Sequence, residues 1–247
     1  LGPVSGDMKG KIVIMLELFF RLHHRHPGRS VGVAVTSGGE IGGENGVMHL
    51  FERERLRCGM AIVPDGGAIH DITVAEKGIL QIRLDSRGQE SHAARPWLAT
   101  NALLRLIEGI NRATSDFESC KTGHEEASAH WYSTCVPTVL RTGNETINCI
   151  PGEANPFLDV RFAPPHTAKE MLQRLREAVG PDIRIETIMS AESTQLAPDP
   201  LYLEVTETLT GTPPKLVRAS GGSDARYIAR HGIPVILSRP QVGALHS

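Results

Sequence analysis

Residues 31–43 read V-G-V-A-V-T-S-G-G-E-I-G-G, a compact apolar run followed by a glycine-rich turn with one carboxylate. The run 31–35 predicts a buried strand, because it is short, rich in valine and bounded by turn residues. Glu40 then lies at the carboxyl end of that strand, where open α/β sheets collect their ligand-binding groups. We therefore expect the chemistry of the chain to be arranged around residues 36–43.

Composition limits the classes of partner. The 247 residues are enough for one large or two modest domains. The chain has 26 Lys and Arg against 28 Asp and Glu, whereas a nucleic-acid-binding surface needs a basic excess. No apolar run approaches the ~20 residues that span a bilayer. We expect neither nucleic acid nor a membrane among the partners.

The cysteines and the chain ends indicate the compartment. The four cysteines are scattered without a C-x-x-C pair, which favours free thiols in a reducing compartment. No signal peptide is recognisable at Leu1, so we expect a cytoplasmic protein. The chain starts without methionine and stops at Ser247, and we expect both ends to be cut.

The first 76 residues alternate between helix and strand patterns. Apolar positions at three- and four-residue spacing predict a helix over 8–24, a short helix over 45–55 follows, and 58–63 is typical of a strand. This order predicts a mainly parallel sheet covered by helices. Histidines at 23, 24 and 26 are either a metal site or cations at a helix C-terminus, and we favour the second interpretation.

A different pattern begins at residue 78. Alternating and amphipathic segments predict the order β-α-β-β-α-β, a ferredoxin-like unit, with a capping box from Thr167 to Glu170. The predicted segments are 78–88, 101–113, 132–140, 155–162, 167–179 and 183–189. We expect this unit, residues 77–189, to be inserted between two parts of an α/β domain, 1–76 and 190–247.

Potential metal ligands stand where predicted elements meet turns. Asp7, Glu40, Asp65 and His246 occupy such positions, and parallel strands bring their ends to one edge of a sheet. Converging carboxylates repel one another unless a cation joins them, which favours a metal site. Each residue also has a structural alternative: Asp7 as a helix cap, Glu40 and Asp65 as solvated turn residues, and His246 as a surface histidine.

Several motifs occur in one order along the chain. They are G-D-M-K-G (6–10), T-S-x-x-E-I-G-G (36–43), E-K-G (76–78), G-x-x-x-H-A-A-R-P (88–96) with N-A (101–102), N-C-I-P (148–151), L-D-V-R (158–161), S-G-G-S-D-A-R (220–226) and A-L-H-S (244–247). In this order they resemble the di-zinc amidohydrolases and metallopeptidases that include succinyl-diaminopimelate desuccinylase, acetylornithine deacetylase, aminoacylase and glutamate carboxypeptidase.

The resemblance implies a fold, a reaction and a metal site. The fold is a zinc-peptidase-like catalytic domain interrupted by a ferredoxin-like lid, through which such proteins form homodimers. The reaction is hydrolysis of an amide bond in an N-acyl amino acid or small peptide. Asp7 matches a residue that bridges two zinc ions, Glu40 and His246 match ligands of one ion, and Asp65 matches the acidic ligand of the other.

The resemblance also implies residues that contact the substrate. His92 matches a lid histidine that polarises the scissile carbonyl across the dimer, although it can also be a core or cap histidine. Arg161 matches a group that holds the substrate's carboxylate, although it can also be a solvated strand end. The remaining substrate-binding residues by this match are Asn148, Gly221, Gly222 and Ser223.

Two departures from the family pattern concern activity. An upstream histidine ligand has no counterpart here, so we expect one or two zinc ions with the second site incomplete, and cobalt as an alternative metal. Gly39 stands where the family has a general base, and losing such a group costs ~10²–10⁴-fold in rate. The sequence therefore predicts an impaired hydrolase. The alternative is an inactive relative or fragment that keeps a metal- or carboxylate-binding fold and a dimerising lid.

Overall fold

The computed structural model describes residues 8–37, 43–118 and 130–239. The chain forms two compact units. The first consists of Leu1–Glu76 and Thr194–Ser247, and the second of Lys77–Ser193. The second unit is thus inserted into the first along the chain, and each is described by itself below.

The regular elements are numbered in chain order. The α-helices in the described residues are α1 (Gly10–Arg25), α2 (His49–Glu52), α3 (Ala102–Glu118), α4 (Ala168–Val179), α5 (Pro200–Thr210) and α6 (Ala225–Ala229). A π-helical turn, Glu44–Met48, leads into α2, and a 3-10 turn covers Pro96–Leu98. The strands in the described residues are β1 (Ala61–Val63), β2 (Asp71–Glu76), β3 (Gly78–Arg87), β4 (Ser91–His92), β5 (Thr134–Thr142), β6 (Cys149–Ile150), β7 (Glu153–Phe162), β8 (Ile183–Ala191), β9 (Thr194–Gln195), β10 (Lys215–Ala219) and β11 (Val235–Leu237). No described helix is long and apolar enough to span a bilayer.

The first unit is built on a mainly parallel sheet in the order β1-β11-β2-β10, with β9 beside β2. Strand β1 runs parallel to β11 and β10 parallel to β2, whereas β11 and β9 are antiparallel to β2. Apolar side chains of the strands and helices pack into one cluster that includes Phe51, Ala225, Ile228, Val235 and Leu237. The expected α/β class is confirmed.

One predicted strand of this unit is wrong. Residues 31–35 form no strand, and the side chains of Val31 and Val35 are 42% and 56% exposed. An isolated strand leaves its backbone N–H and C=O groups without partners, so it needs a neighbour in a sheet. Within the part of the chain that the structure describes, no strand pairs with these residues. A valine-rich run was therefore not sufficient to identify a strand.

The second unit is the predicted β-α-β-β-α-β fold. Its antiparallel sheet has the order β5-β7-β3-β8, and a separate two-stranded ladder joins β4 to β6. Helices α3 and α4 contact each other and pack on the sheet through a shared apolar core. The largest buried side chains of that core are Leu80, Ile82, Leu84, Leu106, Leu158, Phe162, Met171 and Leu175.

Local signals fix two ends of elements in this unit. The Thr167 side chain accepts the backbone N–H of Glu170, and the Glu170 side chain accepts the backbone N–H of Thr167, so the predicted capping box is confirmed. Asn101 caps α3 in a similar way, because its side-chain oxygen accepts the N–H groups of Leu103 and Leu104. These bonds satisfy N–H groups that a helix leaves unpaired at its start.

Candidate functional site

The predicted site residues are distributed over both units. Asp65 and residues 221–223 belong to the first unit, and His92, Asn148 and Arg161 belong to the second. The other predicted positions, Asp7, Gly39, Glu40 and His246, lie outside the described residues. The structure therefore shows two groups of candidate side chains, and we take each in turn.

Asp65 lies just after β1 and forms an ion pair with Lys11 of α1. The Lys11 ammonium nitrogen is 3.1 Å from the Asp65 Oδ1 atom. The Lys11 side chain is 1% exposed and the Asp65 side chain 38%. Along α1, all of which is described, Lys11 is the only buried residue. A buried ammonium is costly unless a counter-charge is close, so this contact favours the approach of α1 to the end of β1.

This pairing bears on whether a metal ion fits at Asp65. Zinc in proteins typically takes four ligands and favours imidazole and thiolate among them. Among the described residues, no three His, Cys, Asp or Glu side chains lie close enough together to hold a metal ion. The carboxylate of Asp65 instead faces an ammonium group. Among the described residues, the observed partner of the Asp65 carboxylate is therefore a cation of the chain itself.

A second buried carboxyl lies in the same unit, at Glu76, the last residue of β2. Burial raises its pKa from 4.5 to about 7. Hydrogen bonds from Ser223 and the positive charge of Arg226 act in the opposite direction, and the charge of Asp65 adds to the rise. The pKa of Asp224 is also raised, because burial raises it by more than the positive charge of Arg226 lowers it. These carboxyls and the guanidinium form one electrostatic cluster.

The turn before α6 is held by this cluster. Ser223 is buried, its hydroxyl oxygen accepts the N–H of Ala225 at 3.2 Å, and its carbonyl accepts the Nε–H of Arg226 at 2.8 Å. Gly221 and Gly222 are exposed. Ser223 thus binds a carboxylate of the protein itself, Glu76, while the two glycines face solvent.

In the second unit the structure brings His92 and Asn148 together. His92 of β4 is the register partner of Cys149 in β6, and the backbone N–H of Ala93 donates to the carbonyl of Asn148 at 2.8 Å. The Nδ1 atom of His92 accepts the N–H of Ala94 at 3.1 Å. In a neutral imidazole the proton then sits on Nε2. Because His92 is exposed, it presents an N–H donor outward.

Arg161 lies on the face of β7 opposite the buried Leu158 and Phe162, as the alternation predicts. Its Nε and Nη2 atoms donate to Asp159 at 2.5 and 3.0 Å. Gln81 donates to the same carboxylate at 3.0 Å. Burial raises the pKa of Asp159, but the bonds from Arg161 and Gln81 outweigh it and hold the pKa below its usual value. The guanidinium is thereby fixed in orientation.

Four buried charged side chains were not anticipated as such from the sequence: Lys11, Glu76, Lys77 and Arg226. Lys77 donates to the carbonyl oxygens of His130 and Tyr132, both at 2.7 Å, and burial together with the charge of Arg161 lowers its pKa. The sequence feature that could have identified Lys77 is the E-K-G motif at residues 76–78. The signal for Lys11 was its position four residues before Met15, on the apolar stripe of the predicted helix.

Comparisons with known proteins give one match to the second unit and others that extend over more of the chain. The peptidase dimerisation domain of the M20 family matches residues 74–185. Succinyl-diaminopimelate desuccinylase from Alkalilimnicola ehrlichii is 29% identical over 262 residues, covering 99% of this chain and 68% of the relative. The enzyme of the same name from Acidiphilium cryptum is 32% identical over 168 residues, covering 65% of this chain and 43% of the relative.

The matches to this dimerisation domain and to the desuccinylases support the M20 family of amidohydrolases and metallopeptidases for this chain. A tripeptidase structure from Staphylococcus aureus has a similar fold, with a TM-score of 0.72 at 18% identity, over 95% of this chain and 62% of the other. The chain thus spans about two thirds or less of the length of these relatives.

Proposed function

We propose that this protein takes part in metal-dependent hydrolysis of an amide bond in an N-acyl amino acid or small peptide. The observation that carries the proposal is the alignment with a desuccinylase over 99% of the chain, which includes both units. The names of the relatives favour an N-succinyl amino acid as substrate. Deacylase and carboxypeptidase reactions cleave the same kind of bond and stay within the proposal.

The proposed metal ligands are Asp7, Glu40 and His246, a set of two carboxylates and one imidazole that suits zinc, with cobalt as an alternative. A metal ion held by these residues would lower the pKa of a bound water molecule, so that it could act as the nucleophile near neutral pH. The proposed role of the remaining site residues is to place the substrate's carbonyl and carboxylate.

His92 is the proposed donor to the scissile carbonyl. Since its Nδ1 atom is occupied by the N–H of Ala94, the Nε2–H group is the one available to a substrate oxygen. A donor aimed at an oxygen that gains negative charge stabilises the transition state more than the substrate. Asn148 is joined to the same ladder and is the proposed second lid contact.

Arg161 and the 221–223 turn are the proposed binding groups for a substrate carboxylate. Asp159 fixes the guanidinium with two bonds, and a guanidinium has five N–H donors, so donors are left for a second carboxylate. The exposed backbone N–H groups of Gly221 and Gly222 are the proposed anion contacts in the other unit, and Ser223, which the sequence also assigned to this role, holds the turn through Glu76.

The proposed oligomer is a homodimer formed through the second unit. The match to a peptidase dimerisation domain supports this proposal. Strand β5 is an edge of the sheet, and Val136, Val139 and Leu140 on it are exposed. Helix α3 lies next to β5 and exposes Leu104 and Ile107. An edge with apolar side chains beside an apolar helix face is a surface that association buries.

The proposed reaction is tested by restoring a carboxylate at Gly39, the position where the family has a general base. With zinc supplied, we expect slow hydrolysis of N-succinyl and N-acetyl amino acids by the native chain, and a rate ~10²–10⁴-fold higher after Gly39→Glu. Gly38→Glu is the matched control, because it adds the same side chain one residue away. A native rate equal to that of Gly39→Glu contradicts the proposed impairment. If neither protein hydrolyses either substrate with metal bound, the inactive-relative alternative holds.

A further inference from the structure

We propose that the ammonium group of Lys11 takes the place of a second metal ion beside Asp65, so that Asp65 is the counter-ion of a cation built into the chain. This inference rests on the proposed metal-dependent function and goes beyond it, because it assigns the second site to a side chain. It also gives a role to Lys11, the only buried residue of the fully described helix α1.

The first argument is the position of the ammonium. Its nitrogen lies 3.1 Å from the Asp65 Oδ1 atom, within ion-pair distance. A zinc ion on the same oxygen would sit about 2.0–2.2 Å away, so the two cations would compete for one carboxylate at close range. Lys11 is 1% exposed, so it has no room to turn into solvent and leave Asp65 to a metal. Two cations this close repel strongly where water does not screen them.

The second argument is the balance of charge around Asp65. The carboxyls of Glu76 and Asp224 are close enough to Asp65 for its charge to raise the pKa of each. Arg226 is buried beside them and counteracts both rises. Lys11 and Arg226 thus neutralise much of the charge that would otherwise attract a divalent cation, since an acidic cluster binds metal through its uncompensated charge.

The third argument is the donor set. Within the described residues, no group of three potential ligands includes Asp65. One carboxylate that already holds an ammonium is a poor zinc ligand, because zinc binding needs several donors that are free at once. The ion pair with Lys11 therefore occupies the Asp65 carboxylate with a cation of the chain.

The experiment measures bound zinc per chain by mass spectrometry after equilibrium dialysis, with folding checked by circular dichroism. Four proteins are compared: the native chain, Lys11→Met, the double variant Lys11→Met with Asp65→Asn, and Lys215→Met. Methionine keeps the length and the packing volume of Lys11 but removes its charge. Lys215 is exposed on β10 in the same unit, so its replacement is the matched control.

We expect Lys11→Met to bind up to one more zinc equivalent than the native chain, because Asp65 loses its internal cation. We expect the double variant and Lys215→Met to keep the native count. A folded Lys11→Met protein with the native count overturns the inference. A double variant that binds less zinc than the native chain also overturns the inference, because Asp65 would then be a metal ligand in the native chain. This comparison tests Asp65 even if Lys11→Met does not fold. If the native chain binds no zinc and Lys11→Met binds one equivalent, the result supports the role of Lys11. The same result contradicts the proposed metal-dependent function, because the native chain then has no metal.

Discussion

The carboxyl group of Glu76 accepts hydrogen bonds from both the side chain and the backbone N–H of Ser223, which joins the end of β2 to the turn before α6. Burial nevertheless prevails and raises the pKa of Glu76 to about 7. Within the described part of the chain, the Glu76 Oε2 atom is buried without a hydrogen-bond partner, which adds to the cost of the charged form. Ionisation of Glu76 therefore lowers the stability of the folded protein.

The first prediction concerns pH. A folded-state pKa above the usual 4.5 means that the folded protein binds the extra proton, so Glu76 costs nothing below about pH 4.5 and lowers stability as pH rises to about 7. Glu76→Gln removes this cost. We expect the variant to match the native protein near pH 4 and to exceed it by up to about 3 kcal/mol above about pH 8, from the size of the pKa rise. Thermal unfolding at both pH values measures the difference.

The control for this pH dependence is Glu207→Gln, which neutralises an exposed carboxylate on α5 of the same unit. We expect its stability to follow the native protein at both pH values. If Glu76→Gln and the native protein lose stability in parallel as the pH rises, the raised pKa of Glu76 is not what links pH to folding.

The second prediction concerns the start of β3. The ring of Phe162 packs directly over Gly78, and a Cβ atom at that position would lie within the ring's van der Waals volume. Phe162 is fully buried, so the ring has no space to move into. We expect Gly78→Ala to cost about 1–3 kcal/mol, the usual range for overpacking a core. Urea unfolding of the two proteins gives the value.

Gly143→Ala is the matched control for Gly78→Ala, since its Cβ would lie at an ordinary 3.7 Å from the Glu153 side chain. We expect it to be close to neutral. Combining Gly78→Ala with Phe162→Leu should recover part of the loss, because the smaller side chain removes the overlap. A Gly78→Ala protein as stable as Gly143→Ala contradicts the packing described here.

The third prediction concerns the capping box of α4. Thr167→Ala removes the oxygen that accepts the N–H of Glu170, and an N-cap residue of this type is worth about 1 kcal/mol. We therefore expect a loss of that size in the free energy of unfolding. Thr114→Ala is the control, because Thr114 lies inside α3, where alanine is the better helix former. Equal losses for the two variants would contradict the capping role.

The fold of the second unit could be predicted because its signals are local. The alternation of Ile79, Leu80, Ile82 and Leu84 and the capping box at Thr167 each report on one element, and their order is diagnostic of the ferredoxin-like unit. The strand predicted at 31–35 was wrong because pairing depends on a neighbour that the run itself does not encode. Strand β2, Asp71–Glu76, was missed because it is separated from β3 by Lys77 alone and its apolar positions are few.

The candidate site was less predictable for a physical reason. The contact between Lys11 and Asp65 joins residues 54 positions apart, and no periodicity reports on such a pair. The raised pKa of Glu76 comes from burial, and the residues that moderate it, Ser223 and Arg226, are distant in sequence. A charged residue on an apolar stripe, as Lys11 is, was the only local sign that a buried ion pair was to be expected.

The last prediction concerns the proposed dimer. Strand β5 exposes three apolar side chains, Val136 at 51%, Val139 at 39% and Leu140 at 52%, whereas Ile188 is the only large hydrophobic residue of the opposite edge strand, β8, with a comparable exposure. A free edge of this kind pairs readily with a second sheet unless a charge prevents it. Leu140→Arg places such a charge on the edge without touching the core.

We expect Leu140→Arg to convert the dimer into a monomer in light scattering coupled to size-exclusion chromatography, because a buried unpaired guanidinium is incompatible with a close-packed interface. Ile188→Arg, the same change on β8, should leave the dimer intact. If His92 acts across the dimer, monomeric Leu140→Arg also loses hydrolysis while its circular dichroism spectrum stays native. A dimer that survives Leu140→Arg and is broken by Ile188→Arg would place the interface at the other edge of the sheet, since only the edge that is buried between subunits can be sensitive to the added charge.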